Sequence, residues 1–511
     1  MKIVRIIVSC SIVSLICINM FWRFTYPGNG FLSFFTDDFF YYLKVAENIN
    51  NHHLSSFDGI HLTNGYHPLW MILLVGMLKI TGTSSTAFFM LLALLISVLN
   101  LSVYVLTFQT CLHFLSQKTV SCFIAFLTTV FCLQITKSGM EVALAIPMIF
   151  IVIKYMLNNE DLFFNRKKIL VLGFLSSILV LSRLDAALFV LLLLIPLADF
   201  KAGRKAGGNL LFFGLGGILV PAYLILNSIV FDTMMPVSGQ VKHLKNDLLP
   251  SLNAIISLVQ MRPQRIFVIS TLIALLFCII PFLKEKPIER KKYFPLLCTA
   301  FFALAHIIVL SFSSNWRLWS WYTYPFVPLF CSVAIYLVVY LDKKAQILRF
   351  SQQNGVLSVL IALSIMYGFV FSARSNRAHS PKRNSIYGAA LKIADFEKKH
   401  KGLYAMGDRA GTVGYLLKSP LIQMEGLVMD KPFMKNIERS RNLNDVLAEY
   451  KVDYYIATNP KMTEGHYRVV EPAQAGNNSP RMEGRFSCRP VQDFVLNNVH
   501  TAIFALKDCL D

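Results

Sequence analysis

The sequence predicts a mostly α, polytopic transmembrane helical bundle of about eleven spans over residues 1–373, followed by a small extracytoplasmic α/β domain over 374–511. Three observations predict it. The 511 residues are 55% hydrophobic and only 15% charged, where a soluble domain carries roughly 25% charged residues. Apolar runs long enough to cross a ~30 Å hydrocarbon core recur up to residue 373 and then stop. The Lys and Arg residues gather in alternate loops between those runs, as the positive-inside rule requires.

The spans are read at roughly 5–22, 86–112, 119–136, 142–158, 209–231, 266–283, 294–312, 322–340 and 355–373. The stretch 168–199 is too long for one helix and reads as two spans turning at Ser182-Arg183-Leu184-Asp185. The first run follows Lys2 and Arg5 but lacks a small-residue cleavage site, since Asn19-Met20-Phe21-Trp22 is bulky; it reads as a retained anchor. The run 69–80 is too short to cross and is read as a helix lying along the outer surface.

Charge parity tests this count. With the N-terminus cytoplasmic, the loops holding Arg166-Lys167-Lys168, Lys201/Arg204/Lys205, Lys284 through Lys292 and Lys343/Lys344/Arg349 all face the cytoplasm. Making 69–80 a crossing would flip every later loop. The same count puts 23–68, Lys137–Glu141, Ser182–Asp185, 232–265, Ser313–Tyr322 and the tail outside.

The net charge of +20 invites a nucleic-acid reading, but these loops account for it and no DNA- or RNA-binding motif is present. Of ten cysteines, eight lie in apolar segments and behave as small hydrophobes. Cys488 and Cys509, in the tail, could form one disulfide if the tail faces an oxidising compartment. The tail has strand-like runs at Gly402–Met406, Tyr454–Ala457 and Thr501–Leu506 and a helix pattern over Ser385–Lys399. Its Gly407-Asp408-Arg409-Ala410-Gly411 string matches neither GxGxxG nor a P-loop and reads as a structural turn.

The chemistry-capable residues fall in the outer loops. Asp37 and Asp38 precede an aromatic helical pattern, Phe39-Phe40-Tyr41-Tyr42. One role is capping that helix; two adjacent carboxylates exceed a cap's needs, so one can act as a general base. Thr63-Asn64-Gly65-Tyr66-His67-Pro68 is a tight turn into the surface helix, with Asn64 and His67 available as ligand contacts. Arg183 and Asp185 either pin their turn as a pair or serve a site, Arg183 then receiving phosphate. The loop Met235-Pro236-Val237-Ser238-Gly239-Gln240-Val241-Lys242-His243 offers Lys242 and His243. Trp316, Arg317, Trp319, Trp321 and Tyr322 set a cation among flat rings, and Glu141 adds an acid.

The acidic pair after the first span, the Asn64–Trp70 string, Ser182–Asp185 and Pro236–Lys242 make the chain resemble GT-C-type glycosyltransferases, nearer the bacterial arabinofuranosyl- and mannosyltransferases than the oligosaccharyltransferases, whose WWD-like signature is missing. The resemblance implies an inverting enzyme of the inner (cell) membrane with a periplasmic tail. It would move a hexose or pentose from a polyprenyl-phosphate donor to a hydroxyl of a glycan, lipid-linked or protein acceptor. It implies Asp37 as base, Asp38 orienting the site or holding a divalent cation (Mg or Mn), and Arg183, Lys242 or Arg317 receiving the leaving phosphate. The rival reading, a transporter or flippase of a lipid-linked or glycan substrate, would place ionisable groups at midplane in two related halves, whereas here the spans are mostly charge-free and no halves repeat.

Overall fold

The computed structural model describes residues 2–197, 204–247, 249–252, 256–257, 260, 262–286, 292–345 and 354–509. Of the basic loops, Lys201, Arg349 and residues 287–291 lie outside that set. The membrane part begins with α1 (Lys2–Phe21), α2 (Asp37–His52) and α3 (Pro68–Thr81), then α4 (Thr86–Phe114), α5 (Lys118–Thr136) and α6 (Val142–Leu157). It continues through α7 (Arg166–Ser182), α8 (Ala187–Leu197), α9 (Arg204–Gly216), α10 (Leu219–Phe231) and the short α11 (Val237–Lys242). It ends with α12 (Arg262–Lys284), α13 (Phe294–Ser313), α14 (Phe326–Ala345) and α15 (Asn354–Ala378).

Each of the eleven expected spans is helical over most of its length. Among the described residues seven helices are long and apolar enough to cross a membrane, and the pair Gly207–Gly216 and Leu219–Phe231, bent by 57°, makes an eighth if it is one span. Of the other three, α6 and α7 have 16 and 17 residues, short of the ~20 that a full crossing takes, and α8 is described over 11 residues, up to Leu197. Helix α3, with 14 residues, starts at Pro68, whose ring presets the first turn.

Helix α5 is the centre of the bundle: it packs on α1, α4 and α14 and is almost wholly buried. Phe131 on α5 stacks on Phe267 of α12 at 4.7 Å between ring centres. Helices α7 and α9 approach so closely that a Cβ on Gly173 or Gly216 would fall on the partner's backbone carbonyl.

After α15 the chain builds α16 (Ser385–Glu397), β1 (Tyr404–Met406), α17 (Ala410–Leu416), β2 (Leu421–Gln423), α18 (Lys431–Glu438), α19 (Leu443–Glu449) and β3 (Tyr454–Thr458). Strands β4 (Lys461–Thr463), β5 (His466–Glu471), β6 (Met482–Phe486), β7 (Gln492–Leu496) and β8 (Val499–Ala505) follow. A five-stranded sheet runs β2-β1-β3-β8-β7, parallel through β2-β1-β3 and antiparallel beyond; β4-β5-β6 form a second, antiparallel sheet. Cys488 and Cys509 are joined in a disulfide.

The two parts meet along α2 and α17. Phe40 of α2 packs on Tyr415 at 5.1 Å between ring centres, and Phe57 fills the space above Gly414, where a Cβ would not fit. This contact places the start of α17 over the start of α2.

Candidate active site

A cavity of about 780 Å³ opens where the two parts meet. It is lined from all five connections read as outer loops, from the segment 378–387 after α15, and from the tail at 408–412, 425–428 and Gln474. Eleven of the twelve candidate residues line it: Asp37, Asp38, His67, Glu141, Arg183, Asp185, Lys242, His243, Trp316, Arg317 and Tyr322. Asn64 does not. It is fully buried, and its Oδ1 accepts the backbone N–H of Val237 at 3.0 Å, tying the first loop to the loop that carries Lys242.

The adjacent aspartates have different surroundings. Both stand in the first turn of α2, after Thr36 at the N-cap. Asp37 turns to the tail: its Oδ2 accepts from the Gly411 N–H at 2.9 Å, and its Oδ1 accepts from the Thr412 N–H and the Thr412 hydroxyl, both at 2.7 Å. Asp38 makes no hydrogen bond or ion pair among the described residues and faces the cavity. Burial raises its pKa, the Lys242 charge lowers it, and Asp37, Glu141 and Asp408 raise it again, to about 6. Burial raises Asp37 as well, against the three hydrogen bonds from Thr412 and Gly411.

Arg183 is spent within the protein. It donates to Glu141 through Nη1 and to Asp185 through Nε at 2.9 Å, and its guanidinium lies over Tyr324 at 4.6 Å and Tyr322 at 5.2 Å. Asp185 also accepts from the Tyr324 hydroxyl at 2.8 Å and faces His306 at 3.8 Å. With two carboxylates on one guanidinium, little positive charge is left for a phosphate, which sets Arg183 apart from its expected role as a clamp. His67 accepts the Leu184 N–H on Nδ1 at 3.2 Å, so a neutral ring carries its proton on Nε2, 3.8 Å from Glu141. Burial lowers its pKa, which favours that neutral ring.

Lys242 and Arg317 are the cations available to an anion. Lys242 donates to the Tyr322 hydroxyl at 3.3 Å and lies 5.9 Å from the Trp316 ring. Burial works to lower its pKa, but Tyr322 and Asp38 outweigh it and the amine stays charged at neutral pH. Arg317 is exposed at the cavity wall, 5.2 Å over Trp319. Neither makes an ion pair among the described residues. His243 is exposed at the rim.

For a divalent cation the fit is poor. Among the described residues no three His, Cys, Asp or Glu side chains converge to hold a metal, and Asp37 beside Asp38 has both oxygens occupied. No step below is routed through one.

Sequence reasoning missed Asp408, Thr412, Glu425, His306 and Tyr324. His306 had a signal, an ionisable ring inside an apolar run. The turn at 407–411, read as structural, ends in the Gly411 N–H that donates to Asp37 from 374 residues away in sequence, and no local pattern announces that.

By sequence the chain matches no protein-family model and no curated protein. By structure it is similar to ArnT from Cupriavidus metallidurans in two states. The apo form matches at TM-score 0.53 and 13% identity over 82% of this chain and 87% of that one. The form bound to undecaprenyl phosphate matches at 0.54 and 11%, over 94% and 97%. An Archaeoglobus fulgidus oligosaccharyltransferase in complex with zinc and sulfate matches at 0.48 and 15%, over 89% and 67%, too distant to carry weight. The chain thus has the GT-C fold that the sequence resemblance implied.

Proposed function

We propose that this chain is an integral-membrane, inverting glycosyltransferase that moves a sugar from a polyprenyl-phosphate donor to an acceptor hydroxyl at the outer face of the inner membrane. The observation that carries the reading is the division of one cavity: Asp38, a carboxylate with no hydrogen bond or ion pair among the described residues, faces it together with Lys242 and Arg317, two cations with no ion pair among those residues, set among tryptophans. The ArnT structure bound to undecaprenyl phosphate supports the donor class.

The chemistry needs a proton acceptor, an attack line and a home for the leaving charge. Asp38 takes the acceptor's hydroxyl proton as its oxygen bonds to the anomeric carbon. The bond from that carbon to the phosphate oxygen breaks, its electron pair stays on the phosphate, and Lys242 and Arg317 balance that charge. A lipid phosphate leaves without protonation, so no partner acid is needed. General-base help contributes roughly 10²–10⁴-fold, and charge stabilisation in a dry pocket as much or more. Asp38 serves as base in preference to Asp37, because Asp37's oxygens already accept three hydrogen bonds. The acceptor is an envelope glycan, a lipid-linked glycan or a protein.

The test is transfer from radiolabelled polyprenyl-phosphate sugars by the purified protein in liposomes. Transfer by the wild type, abolished in Asp38→Asn at unchanged membrane abundance, is the expected result. Wild-type-like transfer in Asp38→Asn would overturn it.

A further inference from the structure

The tail reaches the site through one short stretch, and that stretch is built for contact. Arg409, just before α17, has φ +71°, a left-handed conformation that non-glycine residues rarely adopt. It turns the chain so that the next N–H groups aim at α2. Gly411 then lies against Asp37 so closely that a Cβ would fall on the Asp37 carbonyl oxygen and sit 2.9 Å from its Oδ2. Beneath the same turn a Cβ at Gly407 would fall on the carboxylate of Glu471, which is buried and accepts from the Tyr455 hydroxyl at 2.8 Å. Both faces of the turn are therefore packed to contact, and Thr412 adds a side-chain donor where the backbone donors end.

We propose that Thr412, acting with the Gly411 backbone, is a positioning residue supplied by the C-terminal domain: it locks the Asp37 carboxylate and so fixes the first turn of α2, from which Asp38 faces the cavity. Three donors on two oxygens leave the Asp37 side chain one orientation, and its neighbour shares the same helical turn. The tail is then part of the transfer machinery, and its contact is with the site's frame, not with the substrate. The role predicts a loss in turnover and little loss in binding, because Thr412 touches Asp37 while the cations that hold the donor stand on other loops.

The inference rests on the glycosyltransferase reading, and its test is a series measured relative to wild type. Thr412→Val, which keeps the shape and removes the hydroxyl, is expected to lower kcat about tenfold, the range for one hydrogen bond to a charged group, with the donor KM within about twofold. Thr412→Ser should restore kcat. In an Asp37→Ala background, which has no side-chain acceptor, Thr412→Val should cost nothing further, since it acts through Asp37. Thr412→Ala carries the same expectation should the valine variant not accumulate. Wild-type turnover in the valine or alanine variant, failure of the serine to rescue, a loss borne by KM, or full additivity with Asp37→Ala would each overturn the proposal. A wild-type-like Thr412 series leaves sugar transfer standing, whereas absence of transfer in the wild type itself sinks the broader reading.

Discussion

Arg183 donates to Glu141 across 42 residues of sequence, and the two side chains are only 3% and 1% exposed. The pair joins the connection before α6 to the turn between α7 and α8, and Asp185 and two tyrosine rings complete it. Removing one partner of a buried ion pair costs about 3–5 kcal/mol, because the other charge stays buried and unmatched. The two ends are not equivalent here. Arg183→Met strands both Glu141 and Asp185, whereas Glu141→Ala leaves the guanidinium still paired with Asp185. Thermal unfolding in detergent, followed by tryptophan fluorescence, should show the arginine variant as the less stable of the two. Equal or unchanged midpoints would mean that water or a ligand shares the charge.

Asp38 and Lys242 make a second pair of linked expectations. A base works ionised, and the Asp38 pKa is about 6, so kcat/KM should hold at neutral pH and fall as pH drops through about 6. Lys242 is the charge that lowers this pKa. With Lys242→Met the proton binds more tightly and the acidic limb moves to higher pH. The same variant should also lower the plateau if Lys242 balances the leaving phosphate. Position and height of the profile are separate readouts, and a limb that stays in place would detach Lys242 from Asp38.

These two groups were legible in the sequence because each carries its own local signature. An acidic pair ahead of an aromatic helix, and a cation in the Pro236–Lys242 string, say what they can do before any fold is known, and loop parity put them on one side. The division of labour between Asp37 and Asp38 was not legible. It depends on Gly411 and Thr412, and hydrogen bonds between residues 374 and 375 positions apart leave no trace in composition or periodicity. Arg183 shows the opposite limit. Its charge was plain, but whether it is free or spent depends on Glu141, Asp185 and Tyr324 converging from three parts of the chain. In the fold, each apolar run read as a span is helical over most of its length, while hydropathy alone did not show that α6 and α7 would be short.

Asn64 gives a prediction of a different kind, since it acts on the cavity from outside. Its Oδ1 accepts the buried Val237 N–H at the first residue of α11, the helix that ends in Lys242. Asn64→Ala leaves that donor unpaired, at a cost of about 1–3 kcal/mol, and α11 should lose its anchor on the first loop. The donor KM is expected to rise severalfold and kcat to fall with it, because the displaced cation both holds the donor and balances the leaving phosphate. Next to it, Gly65→Ala would set a methyl on the Leu427 carbonyl and part the first loop from the tail. That variant should lose stability and turnover together. A KM unchanged in Asn64→Ala would show that α11 holds its place unaided.

The disulfide ties orientation to a measurement. Cys488 and Cys509 close a loop of 21 residues, worth about 3 kcal/mol in the chain-entropy account, and such a bond persists only in an oxidising compartment. The outer-face reading therefore requires the pair to be oxidised in cells. Maleimide added to protein denatured without reductant should leave both thiols unmodified, and reductant should expose them. The eight remaining cysteines fall in apolar helices, so Arg317→Cys offers a reporter at the cavity wall. A membrane-impermeant maleimide should reach it in cells whose inner membrane is intact. Labelling that appears only after that membrane is opened, with Cys488 and Cys509 reduced in the same cells, would invert the topology and move the site to the cytoplasmic face. Protection of Arg317→Cys by added polyprenyl phosphate would in turn place the lipid phosphate beside it.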